Sequence, residues 1–201
     1  MDDLEAIYDR AFFADYAASN AVYAGACEVI ATELVRRFQP ATAVDWGCGT
    51  GLHASAMARA GVRVLGVDGV LADPDQRASG VEIRVADLTR PVAAELTFSS
   101  YDLSLCIDVL EHLDDQHSAA ALANVTRGAA IVVLSCAPPG QGGHHHVNER
   151  PRRYWVERMA AIGWRYDRQE TGSMERGFVA DRSRLPWSWM YHNLCVYRPM
   201  R

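Results

Sequence analysis

Five short apolar runs set what this chain can fold into: 43–46, 62–67, 81–85, 101–107 and 129–136. They are rich in valine and isoleucine, as strands covered on both faces should be. Helical segments at 52–60 and 117–127 separate most of them. That alternation predicts a three-layer, doubly wound α/β fold with right-handed crossovers. One crossover is reduced. The stretch GVLADPDQRASG, 69–80, carries Pro74 and Gly80 and leaves room for a turn or two of helix at most.

The flanks read differently. Residues 4–19 carry Tyr8, Phe12, Phe13 and Tyr16 at helical spacing, and 21–38 form a second helix that stops before Pro40. After Pro138 and Pro139 comes a loop, GQGGHHHVNERP. A helix is expected over 152–162 with Gly163 at its stop, then a strand over 164–171. Residues 172–186 read as a polar loop or cap, and 193–198 as the last strand, antiparallel to the rest. No linker or repeat divides the 201 residues, so one domain is expected.

Composition narrows the function classes. The hydrophobic share is 49%, enough for a sizeable core, and no apolar run reaches the length of a membrane span. The acidic start MDDLEAIYDR is not a secretory signal. The five cysteines, Cys27, Cys48, Cys106, Cys136 and Cys195, have no C-x-x-C spacing, so buried thiols in a reducing compartment are expected rather than disulfides. The expected location is the cytoplasm. A net charge of −5 with no basic stripe argues against nucleic acid as a partner. All twenty basic residues are arginine.

Directly after the first apolar run stands VDWGCGTG, 44–51. A phosphate-binding P-loop needs a lysine, and the chain has none. A dinucleotide fingerprint needs glycine at position 52, which is Leu52. The pattern present is D-x-G-x-G-x-G, from Asp45 through Gly47 and Gly49 to Gly51. In this context it resembles motif I of the class I S-adenosylmethionine-dependent methyltransferases. The resemblance covers roughly 40–136 and implies the Rossmann-like methyltransferase sheet, with S-adenosyl-L-methionine as cofactor. Asp68, at the tip of the second strand, then accepts the ribose hydroxyls. Asp87, after the third strand, faces the adenine amino group. CIDVLEHL, 106–113, is similar to the motif that follows the family's fourth strand. Cofactor contacts are thereby implied for Tyr8, Tyr16, Asp45, Gly47, Gly49, Gly51, Asp68, Gly69, Asp87, Leu88, Ile107 and Asp108. Packing of an amphipathic helix explains Tyr8 and Tyr16 equally well.

A narrower resemblance lies in PPGQGGHHHVNERPRRYW, 138–155. It is similar to a loop of small bacterial methyltransferases that runs P-G-Q-G-G, H-V-N-E-Q, Y-W. Here Arg150 replaces the glutamine, and His144 and His145 extend His146 into a triple histidine. Methyl transfer to a hydroxyl requires alignment and removal of a proton, a task suited to histidine. His112 and His146 are the candidate catalytic residues, with hydrogen-bonding structural roles as their alternative. A metal on the histidines with Asp108 or Glu149 is disfavoured, because adjacent histidines rarely point the same way. Arg150, Arg152 and Arg153 form either a solvated face or a carboxylate or phosphate subsite.

The sequence thus predicts three parts: a helical lid over 1–38, a cofactor core over 40–136, and an acceptor side over 137–201 that includes Trp187, Trp189 and Tyr191. The expected activity is methyl transfer from S-adenosylmethionine to a small molecule, on oxygen before nitrogen, without a metal or a membrane partner, in a monomer or homodimer from a bacterial source with specialised metabolism as its setting. Its rivals are a nicotinamide-dependent oxidoreductase, disfavoured by the third glycine and the missing lysine, and a cofactor-binding protein without transfer activity.

Overall fold

The computed structural model describes residues 4–180 and 182–200. Its centre is a seven-stranded sheet: β1 (Thr42–Trp46), β2 (Arg63–Asp68), β3 (Glu82–Val85), β4 (Tyr101–Cys106), β5 (Ala129–Leu134), β6 (Trp164–Tyr166) and β7 (Cys195–Pro199). The order is β3-β2-β1-β4-β5-β7-β6. Strands β1 to β5 pair in parallel, and β7 runs antiparallel between β5 and β6. The switch point lies between β1 and β4, where an open α/β sheet leaves its ligand crevice.

Side-chain alternation along the strands builds two cores. Val44, Trp46, Val132, Leu134 and Tyr197 face α5 (Ser118–Thr126) and α6 (Arg152–Ala161), with Leu122, Val125, Trp155 and Met159. Ala43, Leu103, Leu105, Val133 and Val196 face α3 (Ala21–Phe38) and α4 (Leu52–Arg59). The buried stripe of α3, Ala26, Cys27, Ile30, Ala31 and Leu34, keeps the helical period. Asn20 caps its start by accepting from the Tyr23 N–H at 3.2 Å, and Gln39 ends it in the left-handed region before Pro40.

Three expectations change. The N-terminal segment is two short helices, α1 (Leu4–Ile7) and α2 (Arg10–Asp15), because Asp9 breaks the run and caps the second by accepting from the Phe12 N–H at 2.9 Å. The strand expected over 164–171 ends at Tyr166. The loop expected over 172–186 is mostly a helix, α7 (Arg168–Ala180). Gly172 and Gly177 read as breakers, yet Thr171, Met174 and Phe178 are buried on one helical face, and Met174 and Phe178 pack into the α3 core. Tertiary burial outweighs the cost of a mid-helix glycine, about 1 kcal/mol each. Arg37 of α3 also bridges to Glu170 at 2.5 Å and to Glu33 at 2.6 Å.

No helix joins β3 to β4, only a 3₁₀ turn at Ala94–Leu96. The loop before that turn is pinned from α5 instead. Asn124, 2% exposed, accepts from the Val92 N–H at 2.9 Å and donates to the Arg90 carbonyl at 2.8 Å. Asn124→Ala removes both of these hydrogen bonds. We expect a loss of about 2–3 kcal/mol in urea unfolding; a loss below half a kcal/mol would show that the loop re-pairs on its own.

Candidate active site

The carboxyl ends of β1, β2 and β4 and the loops that follow β3 and β5 surround one cavity of about 390 Å³, the size of a small-molecule site. Its floor is the glycine loop. The Gly47 and Cys48 N–H groups both donate to the Val67 carbonyl, at 2.7 and 3.2 Å, which stitches the loop to β2. Gly47 has φ +68°, and a Cβ there would lie 2.3 Å from Val109 Cγ2, so the position admits only glycine. A Cβ at Gly49 would meet nothing nearer than Phe13 of the lid at 3.9 Å. The floor is therefore open space.

Asp68 lines the cavity at the tip of β2. Its Oδ2 accepts from the Gly49 N–H at 2.7 Å and its Oδ1 from the Val70 N–H at 3.0 Å. Each oxygen keeps a lone pair for a ligand. Burial raises its pKa against these backbone bonds. Asp87 and Leu88 line the next wall. Asp87 is fixed by the Thr89 N–H and hydroxyl at 2.9 and 2.6 Å and by Arg90 at 2.7 Å. Burial pushes it up, but Thr89 and Arg90 outweigh that and leave it below the usual carboxylate range.

The sequence-predicted residues Tyr8, Tyr16, Gly47, Gly49, Asp68, Gly69, Asp87, Leu88, Ile107, Asp108, His112 and His146 all line this cavity. Asp45 and Gly51 stand behind it. Gly51 precedes α4 as its N-cap residue, and Asp45 is 2% exposed under the loop, its pKa raised to about 7 by burial and by Asp68. The arginine cluster turns elsewhere: Arg150 to Asn148 at 2.9 Å, Arg153 to Glu157 at 2.7 Å, and Arg152 to the His192 carbonyl.

The polar end is built by β4, β5 and the loop after β5. Asp108 has φ +52°, a left-handed conformation. Ser135 holds it there: its hydroxyl accepts from the Asp108 N–H at 2.9 Å and donates to Asp108 Oδ1 at 2.7 Å. Burial raises the Asp108 pKa to about 6. Glu111 is fully buried. Its Oε1 accepts from the Ala137 N–H at 3.0 Å, its carbonyl accepts from the Val147 and Asn148 N–H groups, and its Oε2 has no partner. Burial, then the charge of Asp108, pushes Glu111 up to about 8.

The three histidines diverge. His144 Nε2 donates to the Ile7 carbonyl at 2.8 Å and ties the loop to the lid, and His145 takes φ +53°. His146 Nδ1 lies 3.0 Å from Glu149 Oε1. Glu149 also accepts from the Gly140 and Gly142 N–H groups at 2.7 and 2.6 Å. These partners hold it ionised, below the usual range, so Nδ1 of His146 is the donor and Nε2 carries the lone pair. The Nε2 end of the His146 ring lies against Gly143, where a Cβ would lie 2.3 Å from Nε2. The His112 ring stands 4.9 Å from that of His146, with Nδ1 unpartnered and its pKa lowered to about 4 by burial and by the neighbouring histidines. Among the described residues, no group of three or more histidine, cysteine or acidic side chains is arranged to hold a metal ion.

Glu111 and His53 are cavity residues that sequence reasoning missed. Both follow an apolar residue in a short helical turn, where nothing in spacing distinguishes a buried polar group from a solvated one.

Residues 44–132 match the family model of a methyltransferase domain. The fold is the Rossmann-like methyltransferase fold. Over 128 residues the chain is 32% identical to the ubiquinone biosynthesis O-methyltransferase of Pseudomonas putida strain W619, covering 61% of this chain and 50% of that protein. The chain thus spans about half the length of that relative. Its structure resembles the 1,6-didemethyltoxoflavin-N1-methyltransferase of Burkholderia thailandensis, solved with S-adenosylhomocysteine: TM-score 0.62, 15% identity, 99% of this chain and 90% of that one. It also resembles a TehB-like S-adenosylmethionine-dependent methyltransferase from Corynebacterium glutamicum, at TM-score 0.59 and 19% identity over 98% of each chain. The likeness to these solved methyltransferases is one of fold. Among the described residues no helix is long and apolar enough to cross a membrane.

His53, at the start of α4, gives a test of the cavity wall. Burial lowers its pKa to about 4 and its Nε2 has no partner. A depressed folded-state pKa contributes stability above the unfolded value of about 6.5 and loses it as pH falls toward 4. Urea unfolding at pH 7 and pH 5 should therefore show a smaller loss on acidification in His53→Phe than in the wild type. Equal losses would place His53 in water.

Proposed function

We propose that the chain transfers a methyl group from S-adenosylmethionine to an oxygen atom of a small molecule. The observation that carries this reading is the convergence of the glycine loop, Asp68, Asp87 with Leu88, and Ile107 with Asp108 on one cavity roofed by Tyr8 and Tyr16. The residues present fit that cofactor. Gly47 and Gly49 let the backbone pass close beneath it, with Gly51 and Asp45 supporting the loop from behind. Asp68 keeps two lone pairs for ribose hydroxyls. Asp87 and Leu88 would hold the adenine, and Gly69, Ile107, Asp108, Tyr8 and Tyr16 complete the walls. When bound, the cofactor supplies a methyl carbon already activated by positively charged sulfur.

The protein's own work is alignment and proton removal. His146 is our base: Glu149 fixes its tautomer and leaves Nε2 free to take the acceptor's proton. The imidazolium that forms is stabilised by Glu149 through Nδ1–H and by Asp108 nearby. His112 holds a proton poorly, since it stays neutral down to about pH 4. We assign it a hydrogen bond to the acceptor. Residues 1–38 act as lid, 40–136 as cofactor core and 137–201 as acceptor side of a single domain. Transfer to nitrogen is the second reading, favoured by the likeness to the N1-methyltransferase of Burkholderia thailandensis.

Calorimetric titration with S-adenosylhomocysteine tests the cofactor assignment. The wild type should bind it, and Asp68→Ala should bind about 100-fold more weakly. Binding of NAD in its place would overturn the reading of the glycine loop. Transfer activity is tested by release of S-adenosylhomocysteine over a panel of phenols, catechols and amines. On the first acceptor found, His146→Gln should lower kcat by about 10²–10⁴. A drop of less than threefold would remove His146 as the base.

A further inference from the structure

Resting on the cofactor reading, adenine belongs to Asp87 and Leu88 and ribose to Asp68, which leaves the carboxylate of the amino-acid end without a partner. The lining offers it no cationic side chain. Among the described residues no arginine lines the cavity, and the chain has no lysine. The carboxylate needs a neutral donor instead. Two hydroxyls of the lining are already spent: Thr50 donates to the Tyr16 carbonyl at 2.5 Å, and Thr89 to Asp87 at 2.6 Å. Two histidines are spent as well, His144 on the Ile7 carbonyl and His146 on Glu149.

Three side chains of the lining carry a buried polar atom without a partner: Glu111 at Oε2, His112 at Nδ1 and His53 at Nε2. Buried polar atoms are nearly always paired, so each calls for an explanation. Glu111 and His112 belong to the turn after β4. His53 alone belongs to the segment after β1, as the second residue of α4. The sheet order β3-β2-β1-β4 gives that position its meaning. A linear ligand with adenine after β3 and ribose at the tip of β2 carries its remaining end toward the loop after β1, and that loop runs into α4. Gly51, the N-cap residue, brings no side chain to the helix start, so the positive end of α4 adds to what the imidazole offers an anion. Burial lowers the His53 pKa to about 4, so the ring is uncharged at neutral pH and keeps one N–H to donate.

We propose that His53 is a cofactor-binding residue, its imidazole donating a hydrogen bond to the carboxylate of the cofactor's amino-acid end. The site thereby distinguishes a ligand that carries this carboxylate from one that lacks it. The role is specific to the donor: a ring of the same size without an N–H fills the space and leaves the carboxylate unpaired.

Calorimetric titration with S-adenosylhomocysteine and with decarboxylated S-adenosylhomocysteine tests this. The second ligand keeps adenine, ribose, sulfur and amine. His53→Phe should weaken S-adenosylhomocysteine by about 10- to 100-fold, the worth of a hydrogen bond to a charged group. The same variant should change the decarboxylated ligand by less than about threefold, since the lost interaction is absent there. His53→Gln returns a donor and should recover most of the affinity for S-adenosylhomocysteine. His53→Ala takes the place of His53→Phe should that variant not fold. Equal losses on both ligands, no loss on either, or a loss that glutamine does not recover would each make His53 a packing residue and overturn the proposal. Failure of the wild type to bind S-adenosylhomocysteine is a separate result, and it strikes the cofactor assignment instead.

Discussion

The hydrogen bond from the Gly49 N–H to Asp68 Oδ2, at 2.7 Å, is the joint on which the site depends. It ties the loop after β1 to the tip of β2 across the floor of the cavity. In a parallel sheet both loops must leave by the same edge, so the acid and the glycines meet because of strand direction. The register pairs Val44 with Leu65 and Trp46 with Val67, which brings the end of β1 level with the last residues of β2. The Val67 carbonyl, accepting from both Gly47 and Cys48, fixes the loop from the other side. A carboxylate raised by burial is tolerable here because three backbone N–H groups, from Val70, Gly49 and Gly69, face it.

The loop after β5 is held by the same device, with two acids. Glu111 anchors both ends of the loop after β5, through Ala137 at one end and Val147 and Asn148 at the other. Glu149 gathers the middle of that loop through Gly140, Gly142 and His146. The histidine is thus oriented by a carboxylate whose own geometry is set by two backbone bonds. His144 carries the order outward to the Ile7 carbonyl, so α1 and the loop meet beside the cavity.

The fold was largely legible in the sequence because its signals are local. Five valine-rich runs, a glycine loop and an acid after a strand each lie within a few residues, and strand direction does the rest. Most of the residues that line the cavity at its glycine loop and strand tips followed from the same signals. What misled was also local. Gly172 and Gly177 mark a loop on propensity alone, and only the packing of Met174 and Phe178 on α3 keeps that segment helical. Glu111 could not be found at all from pattern. Its place is set by a 3₁₀ turn, and its partners lie 26 or more residues further along the chain. The roles of His144, His145 and His146 were likewise hidden, since adjacent residues diverge according to a backbone that the sequence does not display.

Strain and charge coincide at one point of the structure. Asp108 and His145 are two of three non-glycine residues with positive φ among those described, and they lie in the loops that follow β4 and β5. Such a conformation costs on the order of 1 kcal/mol and persists only where the surroundings over-determine it. For Asp108 the surroundings are Ser135, which takes its N–H and returns a hydroxyl to its carboxylate. The turn aims a carboxylate at the space between Glu111 and His146, where burial makes two ionised acids costly together. One of the pair therefore holds a proton while the other remains an anion, and the same few ångströms contain a donor, an acceptor and an imidazole.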